Sequence, residues 1–262
     1  MSGFWRLTDI EFVVLWEELK EGGMPSPFVF TAATPYYDDY LREKYEVRER
    51  LRTTLAAEMD DVLQTVARPD IRVLAHGRDA RDPDDPSGIV RLLGVRRGGQ
   101  AYLLTQLPGK TVWHSGGFTV AECDVLSLAD TLVAALPEVA AGQLGEVTLA
   151  PPDGQHQQMD YSFRRLVAHE LSEDAVEYRS AKFLRSTPAR AGMIEICQGS
   201  SRFGPRGIVR RGFGWRDLVD DGRYAITGDN PPVARAVDAK GLITLINAEI
   251  AEVVRAIKDE QV

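Results

Sequence analysis

Gly88-Ile89-Val90-Arg91 and Gly207-Ile208-Val209-Arg210 are the same tetrapeptide, repeated at an offset of 119 residues. Each copy follows a polar loop and opens an apolar run, so the pair marks equivalent points in two similar halves. Outward from the first copy, Ile71, Val73 and Ala75 alternate as a half-buried strand does, and the polar loop Arg78–Ser87 leads into a second strand over Ile89–Val95. Arg96-Arg97-Gly98-Gly99 makes a hairpin turn, because two glycines accept the positive φ of a primed turn, and a third strand follows over Ala101–Gln106. Pro108-Gly109 turns the chain into Val112–Val120. A helix with Val125, Leu128, Leu132 and Leu136 closes the series at Pro137.

The same order surrounds the second copy. Ser172–Ser186 reads as a helix, Met193, Ile194 and Ile196 as a strand, and Gly199–Arg206 as a loop before Ile208–Phe213. Asp220-Asp221-Gly222 turns into Tyr224–Thr227, and Asn230-Pro231-Pro232 turns into Val233–Val237. The last helix sets Leu242, Ile246, Ile250, Val253 and Ile257 on one face. The closing helices align at an offset nearer 114, so the hairpins of the two halves differ in length. The expected fold is α+β, with two quasi-twofold-related halves, each an antiparallel β-meander flanked by helices. They form one domain over residues 1–262, with the first half at 1–137, a joint at 138–171 containing Pro151-Pro152-Asp153-Gly154, and the second half at 172–262.

Ahead of the first meander, Thr8-Asp9-Ile10-Glu11 has the form of a capping box, with Leu7 and Phe12 placed as a hydrophobic staple. Phe12, Leu15, Trp16 and Leu19 then share one helical face up to Gly22-Gly23. Phe28-Val29-Phe30 is a short strand-like run. The charged stretch from Pro35 to Thr65 reads as helical, with Leu51, Leu55, Met59, Val62 and Val66 spaced for burial and Arg68-Pro69 as its stop.

Apolar residues make up 44% of the 262 and charged residues 27%, values of a soluble globular chain. No segment approaches eighteen uninterrupted apolar residues, and the N-terminus lacks a basic region followed by a long apolar run. A cytoplasmic protein without membrane insertion is expected. Two cysteines, Cys123 and Cys197, cannot build a disulfide framework and form no C-x-x-C pair. The formal charge of −8 gives no net drive toward phosphate backbones, so nucleic acid is not an expected partner.

The chemistry-bearing residues are sparse. His76, His114, His156 and His169 have no zinc-ligand spacing. The loop Arg78-Asp79-Ala80-Arg81-Asp82-Pro83-Asp84-Asp85-Pro86 lacks the D-x-D-x-D-G order and the distal glutamate of a calcium loop. Its length and polarity between two strands suit protein contact instead. Gly199–Gly207 offers glycine amides and arginines to a phosphate, but no Walker lysine is present and no helix begins directly after it. No catalytic residue set, cofactor site or metal site emerges.

Three stretches resemble the EspG family, the cytosolic chaperones of type VII (ESX) secretion in mycobacteria and related actinobacteria. They are Trp5–Leu19, Ala67-Arg68-Pro69 opening the strand Ile71–Ala75, and the run from Ala191-Gly192 through Val209-Arg210-Arg211 and Trp215-Arg216-Asp217 to Asp221-Gly222-Arg223-Tyr224. The resemblance implies an α+β fold of quasi-twofold subdomains and a non-enzymatic role without a cofactor. It implies binding of PE–PPE heterodimers, cover for the aggregation-prone PPE tip, and delivery of a soluble substrate to the secretion machinery, which the chaperone meets only indirectly. In the family the loop after the first meander strand and the C-terminal helical region contribute to the grip. That points to Arg78, Asp79, Arg81, Asp82, Asp84 and Asp85 as partner-binding residues. Two other readings of the residues stand beside it: an enzyme holding a phosphorylated small molecule at Gly199–Gly207, and a nucleic-acid binder using Arg96-Arg97 or Arg206, Arg210 and Arg211. Glycine-rich hairpins also leave strand edges open to homo-oligomer formation.

Overall fold

The two copies of the repeat are joined by a shared seam in one sheet. The structure, a computed structural model, describes residues 3–19, 22–54, 56–149 and 176–261. The first half comprises β1 (Phe4–Leu7), α1 (Asp9–Glu18), α2 (Tyr37–Thr54), α3 (Ala56–Ala67), the meander β2 (Ile71–Asp79), β3 (Val90–Arg97), β4 (Gln100–Pro108) and β5 (Ser115–Cys123), then α4 (Leu128–Ala134). The second comprises β6 (Glu146–Thr148), a helix α5 through residues 176–185, the meander β7 (Pro188–Gln198), β8 (Arg210–Leu218), β9 (Arg223–Thr227) and β10 (Val233–Ala236), and α6 (Ala239–Asp259).

The ten strands among the described residues form a single sheet in the order β1-β5-β4-β3-β2-β7-β8-β9-β10-β6. The two meanders thus fuse through the antiparallel pair β2–β7, in which Ala75 lies opposite Ile194. The offset that carries Gly88 onto Gly207 also carries Ala75 onto Ile194. Equivalent residues facing each other define a pseudo-twofold axis through that pair. The repeat is longer than the tetrapeptide, because Pro86 and Pro205 open matching 3-10 turns before the two glycines. Residues 138–171, expected as a joint, contribute β6, which borders β10 as β1 borders β5. Pro151-Pro152-Asp153-Gly154, His156 and His169 lie outside the described residues.

Strand alternation divides the core between two faces. On one, Leu74, Leu93, Val95, Leu104, Phe118 and Val120 pack against α1, α2 and α3. On the other, Ile71, Val73, Leu92, Ile194, Ile196, Phe213 and Trp215 pack against α4 and α6. Helix α5 returns to the first face at the far end of the sheet, where Phe183 meets Tyr224.

The capping box forms as the sequence predicts: Glu11 N–H donates to the Thr8 hydroxyl at 3.3 Å and Thr8 N–H to the Glu11 carboxylate at 2.8 Å. The other oxygen of Glu11 accepts from Arg50 at 2.8 Å, and Glu17 and Glu18 pair with Lys44 and Arg48, so α2 is strapped along α1. Helix α1 is buried more completely than one apolar face requires, since Val13 and Val14 are covered as well.

Three local expectations are corrected and one unforeseen strand is added. The stretch 35–65 is two helices, α2 and α3, rather than one. Strand β5 starts at Ser115, three residues after the expected Val112. Phe4–Leu7 is a strand, which no sequence signal suggested. Phe28–Phe30 joins no strand; instead the Gln106 amide donates to Val29 C=O at 2.9 Å and accepts from Val29 N–H at 3.0 Å, doing for that backbone what a neighbouring strand would. Gln106→Leu strands both groups of Val29, and a loss of roughly 2 kcal/mol is expected, read as a fall in the urea midpoint at constant m-value.

Candidate partner-binding surface

The β2–β3 loop is ordered by its own aspartates. The Asp79 carboxylate accepts from Arg81 N–H at 2.8 Å and from the Arg81 guanidinium at 2.9 Å, with Asp82 N–H at 3.3 Å. The Arg81 guanidinium and amide hold the Asp79 carboxyl far below the ordinary carboxylate range. Asp85 caps the 3-10 turn, accepting from the hydroxyl and amide of Ser87 at 2.6 and 2.9 Å, and those bonds lower its pKa too. Gly88 lets the turn close on Asp79, whose Cβ would stand 2.7 Å from a Cβ added there.

Of the six residues singled out in this loop, Asp79, Arg81 and Asp85 therefore shape it from within, while Asp82 and Asp84 project from the tip. Arg78 belongs to β2 itself. It is exposed on the α1–α3 face, opposite Ala191 in register, and one pair further along the exposed His76 lies opposite Met193. Met193 is 43% exposed although it sits inside a ten-stranded sheet. Among the described residues, α1–α3 roof the first half of this face and α5 its far end, leaving His76, Arg78, Ala191, Met193, Gly212 and Gly214 between them. Sequence reasoning placed Met193 in a strand and could not see this gap. Apolar alternation reports which residues share a face, not whether a helix lies over them.

The equivalent β7–β8 loop is built differently. Glu260, capping the end of α6, accepts from Ser201 Oγ at 2.8 Å and Arg202 N–H at 3.0 Å, and its carbonyl receives the Arg202 guanidinium. Burial works against the charged form, but the bonds from Arg202, Gln198 and Ser201 prevail and depress the Glu260 pKa. A phosphate offered to Gly199–Gly207 would meet a carboxylate already seated on its amide and its arginine. Two of the five arginines of the nucleic-acid reading are engaged, Arg211 with Glu249 at 2.7 Å and Arg210 with Glu195 at 3.7 Å.

The thiols are not activated. Burial, with Glu195 beside it, pushes the Cys197 thiol up to about 12, and burial raises that of Cys123. The imidazole of His114 is bonded to Thr111 at 2.8 Å. No group of three or more metal-ligating side chains occurs among the described residues, and no described helix is long and apolar enough to cross a membrane.

The signature Trp215-Arg216-Asp217 with Arg223 proves to be an internal brace. Trp215 lies over Gly77 and Gly192, where its ring stands 2.5 and 2.7 Å from an added Cβ. Arg223 stacks on its other side at 5.2 Å, grips Asp217 at 2.7 and 2.9 Å, and donates to Pro137 C=O at 2.9 Å.

Comparison with known proteins agrees with this architecture. The structure of the Mycobacterium tuberculosis type VII secretion system chaperone EspG5, solved in complex with the PE25–PPE41 dimer, superposes with a TM-score of 0.52 at 13% sequence identity. The match covers 92% of this chain and 94% of that one. No sequence among curated proteins matches. The EspG family model matches residues 8–255, so this chain belongs to the EspG family.

Proposed function

We propose that this protein is a cytoplasmic, non-catalytic chaperone that binds PE–PPE heterodimers and covers the aggregation-prone tip of the PPE subunit. It would keep the pair soluble for type VII secretion. Family membership supports the class of role, as does likeness in fold to a chaperone whose structure holds a PE–PPE dimer. The observation that carries the reading is the uncovered strip at His76, Arg78 and Met193, beside a loop already held in shape by Asp79 and Asp85.

Such a surface suits a client with an exposed apolar end. Burying Met193 supplies affinity, and Arg78, Asp82 and Asp84 set orientation and encounter rate. Asp79, Arg81 and Asp85 take part by fixing the loop before the client arrives, which reduces the entropy lost on docking.

Co-expression with the PE–PPE pairs of the same organism, followed by affinity capture, tests this. Wild-type protein is expected to retain one such pair. Met193→Asp and Arg78→Glu are each expected to weaken capture by about tenfold or more while thermal stability stays near wild type. Replacing Arg81–Asp84 by two glycines should also weaken capture at little cost to the fold, because loop closure depends only weakly on length. Capture of no local pair overturns the function; capture unaffected by all three changes moves the contact elsewhere.

A further inference from the structure

The two halves differ most where β8 meets β9. Strand β8 registers with β7 from Arg210 to Leu218, but with β9 only from Gly214 to Asp217. Strand β9 ends at Thr227, and the chain turns away through Gly228 and Asp229. Among the described residues, Arg210, Arg211, Gly212 and Phe213 therefore have a ladder on one side only. Their counterparts at the repeat offset are Arg91, Leu92, Leu93 and Gly94. There β4 fills the place, with Thr105, Leu104 and Leu103 opposite Leu92, Leu93 and Gly94. Leu92 and Leu93 are buried, whereas their counterparts Arg211 and Gly212 are exposed. A cavity of about 500 Å³ lies beside this edge, lined by Met193, Gly212, Thr227, Gly228, Leu245 and Glu249 among others.

We propose that this open edge of β8 docks an extended acidic polypeptide segment, which joins the sheet as the antiparallel strand that β9 is too short to supply. Along an antiparallel strand, alternate residues direct both N–H and C=O to the same neighbour. Half of the residues from Arg210 to Phe213 thus present an unpaired donor and acceptor to the cavity, and an added strand satisfies them.

The side chains select the occupant. The edge carries Arg210 and Arg211 and no acid, with the exposed Arg206 just ahead of it. Their present partners, Glu195 and Glu249, lie on β7 and α6, and the arginine side chains remain 61% and 49% exposed. Across the cavity Arg235 is held by Glu146 and Asp229. A second copy of this chain pairing edge to edge would set arginines against arginines, which is unfavourable across a ladder. Carboxylates on an incoming strand meet Arg210 and Arg211 instead, while a side chain opposite Gly212 lies in the row of Glu195, with Met193 one pair further along the same face. The occupant need not be the client of the proposed chaperone, so this inference stands apart from that reading.

Hydrogen exchange on the full chain tests it, with an octapeptide of valine and threonine bearing two adjacent glutamates as the probe. Exchange at 210–213 is expected to slow by about tenfold or more with this peptide and to change little with its dilysine counterpart. Arg211→Gln should erase the preference, and Arg211→Glu should reverse it. Unchanged exchange at saturating peptide, or equal protection by the lysine peptide, overturns the proposal. Protection that grows with protein concentration in the absence of peptide also overturns it, assigning the edge to a second copy.

Discussion

Replacing Asp217 by alanine is expected to destabilise the protein by about 3–5 kcal/mol, the usual cost of stripping one partner from a buried ion pair. The side chains of Asp217 and Arg223 are 4% and 3% exposed, so solvent cannot take over the lost interaction. Among the described residues, the Arg223 guanidinium would keep Pro137 C=O and the face of Trp215 as partners. In a chain of this size that loss corresponds to a fall in melting temperature on the order of 10 °C. The double change Asp217→Leu with Arg223→Met should recover part of it, because the unpaired buried charge is gone and apolar bulk remains. Calorimetry of the two variants decides the matter: a single variant within 2 °C or so of wild type would mean that the pair contributes little.

Gly192→Ala should have an effect of comparable size by a different route. A Cβ there would lie 2.0 Å from the carbonyl oxygen of His76 and 2.7 Å from both Gly77 Cα and Trp215 Nε1. The nearest of these atoms is backbone of the adjacent strand, so no rotamer change relieves it. The seam β2–β7 must open or Trp215 must leave its site. Overpacking of this kind costs about 1–3 kcal/mol where side chains can yield, and more is expected where backbone must move. Gly214→Ala is the control, because its added Cβ would find nothing closer than 3.6 Å. Chemical denaturation should show a large drop in midpoint for the first variant and little for the second.

The parts of the fold legible in the sequence were those written in local chemistry. The capping box at Thr8 and Glu11, the Gly98-Gly99 turn and the periodic face of α6 each depend on residues close together in the chain. The duplicated order of elements was legible too, since it needs only counting. The continuity of the sheet was not, because pairing between β2 and β7 joins residues more than a hundred positions apart. The two strands at the sheet's outer edges, β1 and β6, were missed for a related reason: at four and three residues they are too short for alternation to register. The break between α2 and α3 fell inside a stretch whose composition suits helix throughout.

The candidate surface was half visible. Charge and proline content marked the loop Arg78–Asp85, yet composition could not separate the residues that build it, Asp79, Arg81 and Asp85, from those that project, Asp82 and Asp84. Met193 was hidden because its exposure is decided by where α1–α3 and α5 stop.

The seam through Ala75 and Ile194 also bears on how the two loops came to differ. Were the same sheet assembled from two identical chains, symmetry would impose one loop on both ends, both stapled to a C-terminal helix or both free. Any change that improved one end for a partner would be copied at the other, along with its cost in solubility. Carrying both halves on a single chain lifts that constraint. One end could acquire the Glu260 staple and fall quiet while the other kept an aspartate-framed tip, and one meander could shorten its third strand while its twin stayed full length. Carrying both halves on one chain is what allows a nearly symmetric body to have a front and a back.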